Sequence, residues 1–410
     1  MKLFRSTESN VRFGVVIEIG SGSVLVSIVK SDFSQRHPDI IWAKREYATK
    51  QKNTDIATSA KGVMTALMNV MLLIEGDGQK ALHAVQPGAK LTSVQVSISA
   101  PWSYTITKVI NYSEEKPFVI TPALLQKLMA VAEKKVVDEL RENELASDLG
   151  LTIMTRATTD IQANEYKTSD PIGKTAETLT LTQVSAVAQE YLTAAITDLQ
   201  KKVLPKASLE RYSFMLMFHC ITRDIHTQMT EYCLIDITNE ATEIGVVRGG
   251  ILRYCTHTTS GISTIARKIS VALDIPHDEA HAFLREPYHS HVMESLTPTK
   301  SAVVAEILDE YKADITNLLH ETGDSLSIPK TILLHGGQQT EAFFTSQIEA
   351  AAKNATGLTH TVHLVTAELL TKNYTEAERV TLEQAAPDTA LLVAAQFFHK
   401  QHHCNDFIQV

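Results

Sequence analysis

Apolar and β-branched residues at the start of the chain predict two strands joined by a tight turn. Val11 to Ile19 are mostly of this kind, and Val24 to Val29 repeat the character after a short break. The break reads Gly20-Ser21-Gly22-Ser23, and small residues of this type are typical of turns. The pattern therefore predicts that the chain opens with a β-hairpin.

The same arrangement returns in the second half of the chain. Glu231 to Ile237 form a strongly apolar run with Asp236 near its end, and Ala241 to Val247 and Ile251 to Tyr254 follow as two further strands. A chain of 410 residues with 44% apolar residues is expected to divide around more than one core. The repeated hairpin therefore predicts two related lobes.

Apolar residues at helical spacing predict much of the remaining framework. Val63, Leu67, Val70 and Ile74 recur on one face of a helix from about Asp55 to Glu75. Further helices are predicted over 185–203, 263–273, 278–284, 301–319 and 388–398, and further strands over 39–47, 94–99, 212–218, 331–334 and 360–365.

The pattern changes between Pro101 and Thr182. A strand over 104–112 precedes a helix that Thr121-Pro122 opens, and two strand-like runs follow. This block predicts a small α+β subdomain inserted in the first lobe. The predicted domains are 11–100 and 183–230 for the first lobe, 101–182 for the inserted subdomain, 231–387 for the second lobe, and 388–410 for a C-terminal helix and tail.

Composition excludes several classes of function. The formal net charge is −9 and no run is rich in Lys or Arg, which argues against a nucleic-acid-binding protein. No stretch reaches the ~18 continuous apolar residues of a membrane span. The four cysteines lack paired spacing and no secretory signal precedes them, so we expect a cytoplasmic protein.

Three junctions between a strand and a turn carry the candidate chemistry. They read Glu18-Ile19-Gly20-Ser21, Asp236-Ile237-Thr238-Asn239, and Leu334-His335-Gly336-Gly337. Backbone N–H groups in such turns bind phosphate oxygens, and a carboxylate at the strand end holds a hydrated Mg²⁺. A single turn of this type is more often a plain hairpin, so the order and separation of all three carry the argument.

In that order and separation the junctions resemble the two phosphate loops and the adenosine loop of the actin-like nucleotide-binding superfamily. Block 101–182 resembles the subdomain found on the branch of the cell-division protein FtsA and the pilus-assembly protein PilM. The resemblance implies an α/β, two-lobed actin-like (ribonuclease H-like) fold with nucleotide in the cleft between the lobes. The matching segments of the block are Ser99-Ala100-Pro101-Trp102, Asn164-Glu165-Tyr166 and Asp170-Pro171-Ile172-Gly173-Lys174.

The resemblance also implies roles for single residues. Glu18 and Asp236 occupy the two acidic positions, which serve catalysis and direct Mg²⁺. The positions implied for ATP are Gly20, Ser21, Gly22 and Ser23 in the first turn, Thr242 at the second, Gly261 in the second lobe, and Gly336 with Gly337 in the adenosine loop.

Several residues depart from the family pattern. Thr238, Asn239 and Glu240 stand where glycines are expected, so side chains restrict the approach of phosphate and one adds a negative charge. Glu18 is a methylene longer than the expected Asp, and a displacement of that size at a reacting centre costs ~10²-fold in rate. The run 280–284 lacks the acidic and basic residues that contact the sugar and base. Weak or lost hydrolysis is therefore expected.

The resulting expectation is an actin-like scaffold of cell division or pilus assembly that binds ATP with Mg²⁺. Its partners would be proteins of a membrane-linked assembly, which recruit it to the inner face of the membrane, and the inserted subdomain would carry a protein contact such as self-association. Two alternatives remain open. A small-molecule kinase of the same superfamily would need glycines after Asp236. A nucleotide-free interaction module is favoured by each departure.

Histidines and a cysteine near the C-terminal end have the chemistry of zinc ligands. They are His399, His402, His403 and Cys404. The preferred interpretation is a polar tail after the last apolar turn, because a structural zinc site needs four well-placed ligands in a closed shell.

Overall fold

The computed structural model of the chain describes residues 11–48, 56–142, 150–285, 293–294, 296–320, 328–336, 340–366, 369–370 and 388–401. All structural statements below concern these residues. None of their helices is long and apolar enough to cross a membrane.

A five-stranded sheet forms the centre of the first lobe. Its strands are β1 (Val11–Ile19), β2 (Ser23–Asp32), β3 (Asp39–Tyr47), β4 (Leu91–Ile98) and β9 (Ser208–Ser213). The order is β3-β2-β1-β4-β9, with an antiparallel meander of the first three strands and two parallel strands beyond β1.

The second lobe repeats this topology. Its strands are β10 (Tyr232–Ile237), β11 (Thr242–Arg248), β12 (Ile251–Thr258), β13 (Thr331–Gly336) and β14 (Thr361–Leu364). The order β12-β11-β10-β13-β14 again joins an antiparallel meander to two parallel strands. The two-lobed α/β fold predicted from the repeated hairpin is confirmed.

Each sheet is covered on its outer face by helices. In the first lobe α1 (Ile56–Leu73) continues through a π-helical turn (Ile74–Gly78) into α2 (Gln79–Val85), and the apolar stripe of α1 packs on the sheet because its residues recur at helical spacing. The helices of the second lobe form the corresponding layer. They are α6 (Ile262–Leu273), α7 (His277–Arg285), α8 (Pro298–His320) and α9 (Glu341–Thr356).

A third sheet builds the inserted subdomain. It contains β5 (Ser103–Val119), β6 (Leu151–Ala163), β7 (Tyr166–Lys167) and β8 (Thr175–Gln189) in the order β5-β8-β6-β7. Helix α3 (Pro122–Glu142) covers one face of it. Strand β8 crosses residue 182, the predicted end of the insertion, so the third sheet extends to Gln189.

The helix predicted from residue 185 is wrong in its first turn. Residues 185–189 pair with β5 on one side and with β6 on the other, and these pairings keep them in strand β8. Helix α4 (Glu190–Val203) begins only where those partners end.

The strand predicted over 212–218 is also wrong. Strand β9 ends at Ser213, whose hydroxyl accepts a hydrogen bond from the Leu216 N–H at 3.4 Å and caps α5 (Phe214–Ile225). All five residues of the run 214–218 lie in this helix and are buried. A short apolar run of this kind fits a buried helix and a buried strand equally well, which is why its periodicity misled the prediction.

The inner faces of the two sheets enclose α5 and the last helix, α10 (Thr389–Lys400). Val16 from β1 and Leu234 from β10 belong to the same buried cluster as Phe398 of α10. Gly14 makes the packing possible, because a Cβ there would lie 2.4 Å from the Phe398 ring.

The interpretation of His399 as part of a polar tail is wrong. His399 is buried in α10, where its Nδ1 lies 2.7 Å from the Ser31 hydroxyl and its Nε2 lies 3.2 Å from the Gln35 carbonyl oxygen. The ring therefore ties α10 to the turn after β2. His402, His403 and Cys404 lie outside the described residues.

Candidate functional site

Strand alternation places the two acidic positions on facing surfaces. Glu18 shares a face of β1 with Val16, and Asp236 shares a face of β10 with Leu234. Those two apolar residues belong to the cluster around α5 and α10, so both carboxyl groups point between the lobes at the ends of their strands. Both are buried.

The two turns that were predicted to hold phosphate contact each other. The Glu240 N–H donates to the Ser21 hydroxyl at 3.0 Å, across the cleft. A Cβ added to Gly22 would lie 1.8 Å from Nδ2 of Asn239, so the Asn239 side chain covers Gly22 directly. Protein groups therefore occupy the space between the turns.

The backbone of the second turn is engaged within the protein. The Thr238 N–H donates to the Ala241 carbonyl at 2.9 Å, and the Ala241 N–H donates to the Thr238 hydroxyl at 3.1 Å. The same hydroxyl donates to the Ala100 carbonyl at 2.9 Å. Together with Glu240 N–H, which is held by Ser21, three amides of this turn already have acceptors. An anion-binding turn requires such amides to face the ligand.

Gly261 allows helix α6 to approach the second turn closely. A Cβ at this position would lie 2.5 Å from both the Thr238 carbonyl oxygen and the Ala241 nitrogen. The first amides of α6 donate into the turn, from Ile262 to Thr238 O at 2.9 Å and from Ser263 to Asn239 O at 2.7 Å. The donors of this helix N-terminus thus bind the turn itself.

Glu240 does not present an uncompensated charge. Both of its carboxylate oxygens accept from the Arg267 guanidinium, at 2.8 and 2.5 Å, and its side chain is only 8% exposed. Such a bidentate pair is geometrically specific and strong for its class. The repulsion expected from the sequence is therefore offset by Arg267.

Arg45 compensates the first acidic position. Its guanidinium lies 3.4 Å from Glu18 Oε2 and donates to the Ser23 hydroxyl and to the Asp388 carboxylate. Burial raises the pKa of Glu18 to about 7; Arg45 opposes this shift, whereas Asp388 and Asp236 add to it. A carboxyl group with such a pKa carries a proton in part of the molecules at neutral pH.

His335 contacts the second acidic position. Its Nδ1 lies 2.7 Å from Asp236 Oδ1, and its Nε2 lies 2.9 Å from the Thr389 hydroxyl. When Asp236 is ionised, the proton resides on Nδ1, so Nε2 of the neutral ring accepts from Thr389. The Phe214 ring packs beside the imidazole at 4.8 Å between centroids.

Glu243 is a buried acidic residue that the sequence reasoning missed. It pairs with Asp236 across strands β10 and β11. On the other side of each strand, Asp236 pairs with His335 of β13 and Glu243 pairs with His257 of β12. Glu243 Oε1 accepts the Thr105 N–H at 3.1 Å. Burial raises the pKa of Glu243 to about 8, and Asp236 adds to the shift. A carboxylate within an otherwise apolar strand was the available signal.

Other predicted positions also make contacts within the protein. The Gly20 N–H donates to Ser23 O at 3.0 Å, and its carbonyl accepts from the Trp102 indole at 3.0 Å. The Thr242 hydroxyl donates to Ser260 O at 2.8 Å. Gly336 ends β13 opposite Ile237. Gly337 lies outside the described residues.

The groups implied for ATP and Mg²⁺ are engaged by other protein groups in this arrangement. The amides of the second turn are engaged, Asn239 covers Gly22, and Glu18 and Asp236 are held by Arg45 and His335. In the part of the chain that the structure describes, no three His, Cys, Asp or Glu side chains are grouped to hold a metal ion.

Comparison with solved structures shows the fold. The PilM–PilN type IV pilus biogenesis complex matches with a TM-score of 0.58 and 13% identity, over 94% of this chain and 98% of the matched chain. Glycerol dehydratase reactivase matches at 0.46 and 9%, over 96% and 100%. The ethanolamine utilization protein EutJ from Carboxydothermus hydrogenoformans matches at 0.45 and 10%, over 94% and 89%. Of these three TM-scores, that of the PilM–PilN complex alone exceeds 0.5.

Comparison with protein-family models and with curated protein sequences gives no match. The structural likeness establishes that the chain has the two-lobed fold of the actin-like ATPases, as the sequence resemblance predicted.

Proposed function

We propose that this chain is an actin-like scaffold of a protein assembly that works through protein contacts and does not turn over ATP. The contact between the two turns carries this proposal. In the actin-like fold these turns must stand apart to admit phosphates, whereas here Ser21 accepts the Glu240 N–H at 3.0 Å and Asn239 covers Gly22.

The charges of the site support the same conclusion. Glu18 and Glu240 each have an arginine partner, Arg45 and Arg267 respectively, and His335 contacts Asp236. Mg²⁺ binds through carboxylates and keeps much of its hydration shell. Because its entry would first have to break these contacts, the site favours the metal-free, closed arrangement.

The proposed partner is a protein of a membrane-linked assembly. PilM occurs in a type IV pilus biogenesis complex with PilN, and this chain shares its fold along nearly its whole length. We therefore favour a pilus-type assembly over cell division, with the protein held at the cytoplasmic face of the membrane by its partner. The inserted subdomain is the proposed contact surface for a partner or a second copy.

A scaffold that binds ATP with Mg²⁺ is the second candidate. It is favoured by one observation, that Glu18 and Asp236 face the same cleft, where burial, and after it the nearby Asp388 and Asp236 carboxyl groups, raise the pKa of Glu18. It would require the Ser21–Glu240 contact to open before nucleotide enters.

Titration with a fluorescent ATP analogue, with and without Mg²⁺, separates these candidates. We expect no Mg²⁺-dependent binding up to roughly millimolar concentration, which corresponds to about 4 kcal/mol of binding free energy. Micromolar, Mg²⁺-dependent binding would establish the second candidate instead. Steady-state turnover above about 1 s⁻¹ that Asp236→Ala abolishes would refute the proposal altogether.

Sedimentation of surface variants tests the contact through the inserted subdomain. Tyr166 lies on the β6–β7 hairpin with 80% of its surface exposed, and Val271 on α6 of the second lobe is 84% exposed. Replacing either by Ser leaves the core intact. We expect Tyr166→Ser to weaken self-association or partner binding, whereas Val271→Ser leaves it unchanged. Equal effects of the two variants would remove the assigned role of the insertion.

A further inference from the structure

The start of α10 contacts the partners of both acidic positions, Arg45 of Glu18 and His335 of Asp236. Asp388 pairs with Arg45, which lies on Glu18 in the first lobe. Thr389, the next residue, has its hydroxyl 2.9 Å from Nε2 of His335, which contacts Asp236 in the second lobe. Two consecutive side chains therefore connect the two acidic positions, one to each lobe.

Other polar contacts of α10 go to the first sheet. Gln95 of β4 donates its Nε2–H to the Ala394 carbonyl at 2.8 Å, and His399 contacts Ser31 of β2. The helix is thus anchored on the first sheet while Thr389 reaches the second.

We infer that Asp388 and Thr389 form a latch that couples the two lobes. The latch has two arms: Asp388 keeps Arg45 in contact with Glu18, and Thr389 keeps His335 in contact with Asp236. Loss of either contact loosens both turns, and the turns then separate. The latch is a property of the closed arrangement and stands whether or not the cleft admits nucleotide.

The coupling follows from the geometry of a helix start. Asp388 Oδ1 accepts the Leu391 N–H at 2.9 Å and thereby fixes the first turn of α10, while Oδ2 binds Arg45. Residues that follow one another in a helix rise 1.5 Å each and share the same turn of backbone. A shift of the helix start that takes Thr389 away from His335 would therefore also move the carboxylate that binds Arg45.

Two substitutions separate the latch from the cap. Asp388→Asn removes the charge that binds Arg45 but keeps a good capping residue for the Leu391 N–H. Thr389→Val keeps the β-branched shape and removes the hydroxyl that contacts His335. Each variant changes one arm only.

Hydrogen exchange of the full chain without nucleotide is the measurement. The reporters are the Gly20 N–H in the first turn and the Glu240 N–H in the second, which donate to Ser23 O and to the Ser21 hydroxyl. We expect each single variant to accelerate exchange at both turns by about fivefold, the effect of losing roughly one hydrogen bond. Protection of the Leu391 N–H should persist in Asp388→Asn.

A matched control removes an exposed ion pair that involves none of the latch residues. Lys268→Gln breaks the exposed contact with Glu310 at 2.7 Å on the second lobe, and we expect unchanged exchange at both turns. The coupling would be overturned if exchange became faster only in the turn of the lobe whose contact was removed, or only in α10. An unchanged exchange rate at both turns would overturn it as well. If Asp388→Asn does not fold, Thr389→Val alone decides, because its effect must then appear at Gly20 in the other lobe.

Discussion

Replacement of Gly261 by Ala tests whether close backbone packing, rather than nucleotide contact, explains this glycine. Its φ of −146° and ψ of −169° are extended and open to any residue, so the backbone conformation places no demand for glycine. The added Cβ would instead lie 2.5 Å from two backbone atoms of the second turn, and backbone cannot rotate away as a side chain can.

The expected cost can be built from the contacts that would be lost. Helix α6 would have to withdraw from the turn, which removes the bonds of Ile262 N–H to Thr238 O and of Ser263 N–H to Asn239 O, at 2.9 and 2.7 Å. Two hydrogen bonds contribute about 2 kcal/mol and overpacking costs about 1–3 kcal/mol more. We expect the free energy of unfolding to fall by about 3–5 kcal/mol.

Denaturant unfolding of the nucleotide-free protein measures this change, with Gly76→Ala as the matched control. Gly76 lies in the π-helical turn with no atom within 4 Å of its added Cβ. Alanine there should be neutral or should stabilise by about 0.5–1 kcal/mol, because it is the better helix former. If the two variants differed by less than about 1 kcal/mol, the value of a single hydrogen bond, the packing argument for Gly261 would be refuted.

Three further predictions follow from the same contacts. Gly22→Ala should destabilise the protein because the added Cβ would lie 1.8 Å from the Asn239 amide. Asn239→Ala in the same chain should restore part of the lost unfolding free energy, which a double-mutant cycle measures. Additive effects of the two substitutions would contradict the contact. Gly14→Ala should lower the thermal midpoint, since the added Cβ would displace the Phe398 ring at a cost of about 1–3 kcal/mol, and an unchanged midpoint would argue against that packing. Burial raises the pKa of Glu243 in the folded protein to about 8 from an ordinary 4.5, so the folded state binds this proton more tightly than the unfolded chain. The free energy of unfolding should therefore fall as the pH rises from 4.5 to 8. Glu243→Gln should flatten that profile, measured by denaturant unfolding at several pH values, and an identical slope in both proteins would show that Glu243 does not titrate in this range.

Local pattern in the sequence determined the framework of the protein. The two hairpins, at Val11 and at Glu231, follow from runs of β-branched residues that end in small or polar turns. Strand alternation also places Glu18 on the face of Val16, because successive side chains point to opposite faces of a sheet. These inferences need only neighbours along the chain, which is why they were possible without coordinates.

The secondary structure of two buried segments depended on the tertiary structure. The run 214–218 is equally apolar in a strand or in a helix, and it became helix α5 because β9 ends at the capping hydroxyl of Ser213. Residues 185–189 remained in strand because β5 and β6 pair with them on both sides. In both cases distant partners decided between two conformations that the local pattern allowed.

The chemistry of the cleft was decided in the same way. The sequence indicated that Glu18 and Asp236 would face a common cleft, but their partners come from elsewhere in the chain: Arg45 from β3, His335 from β13, and Asp388 at the start of α10. A buried carboxyl group needs a nearby donor or cation to remain charged. Which group supplies it depends on how separate strands and helices are brought together, and only the tertiary structure determines that.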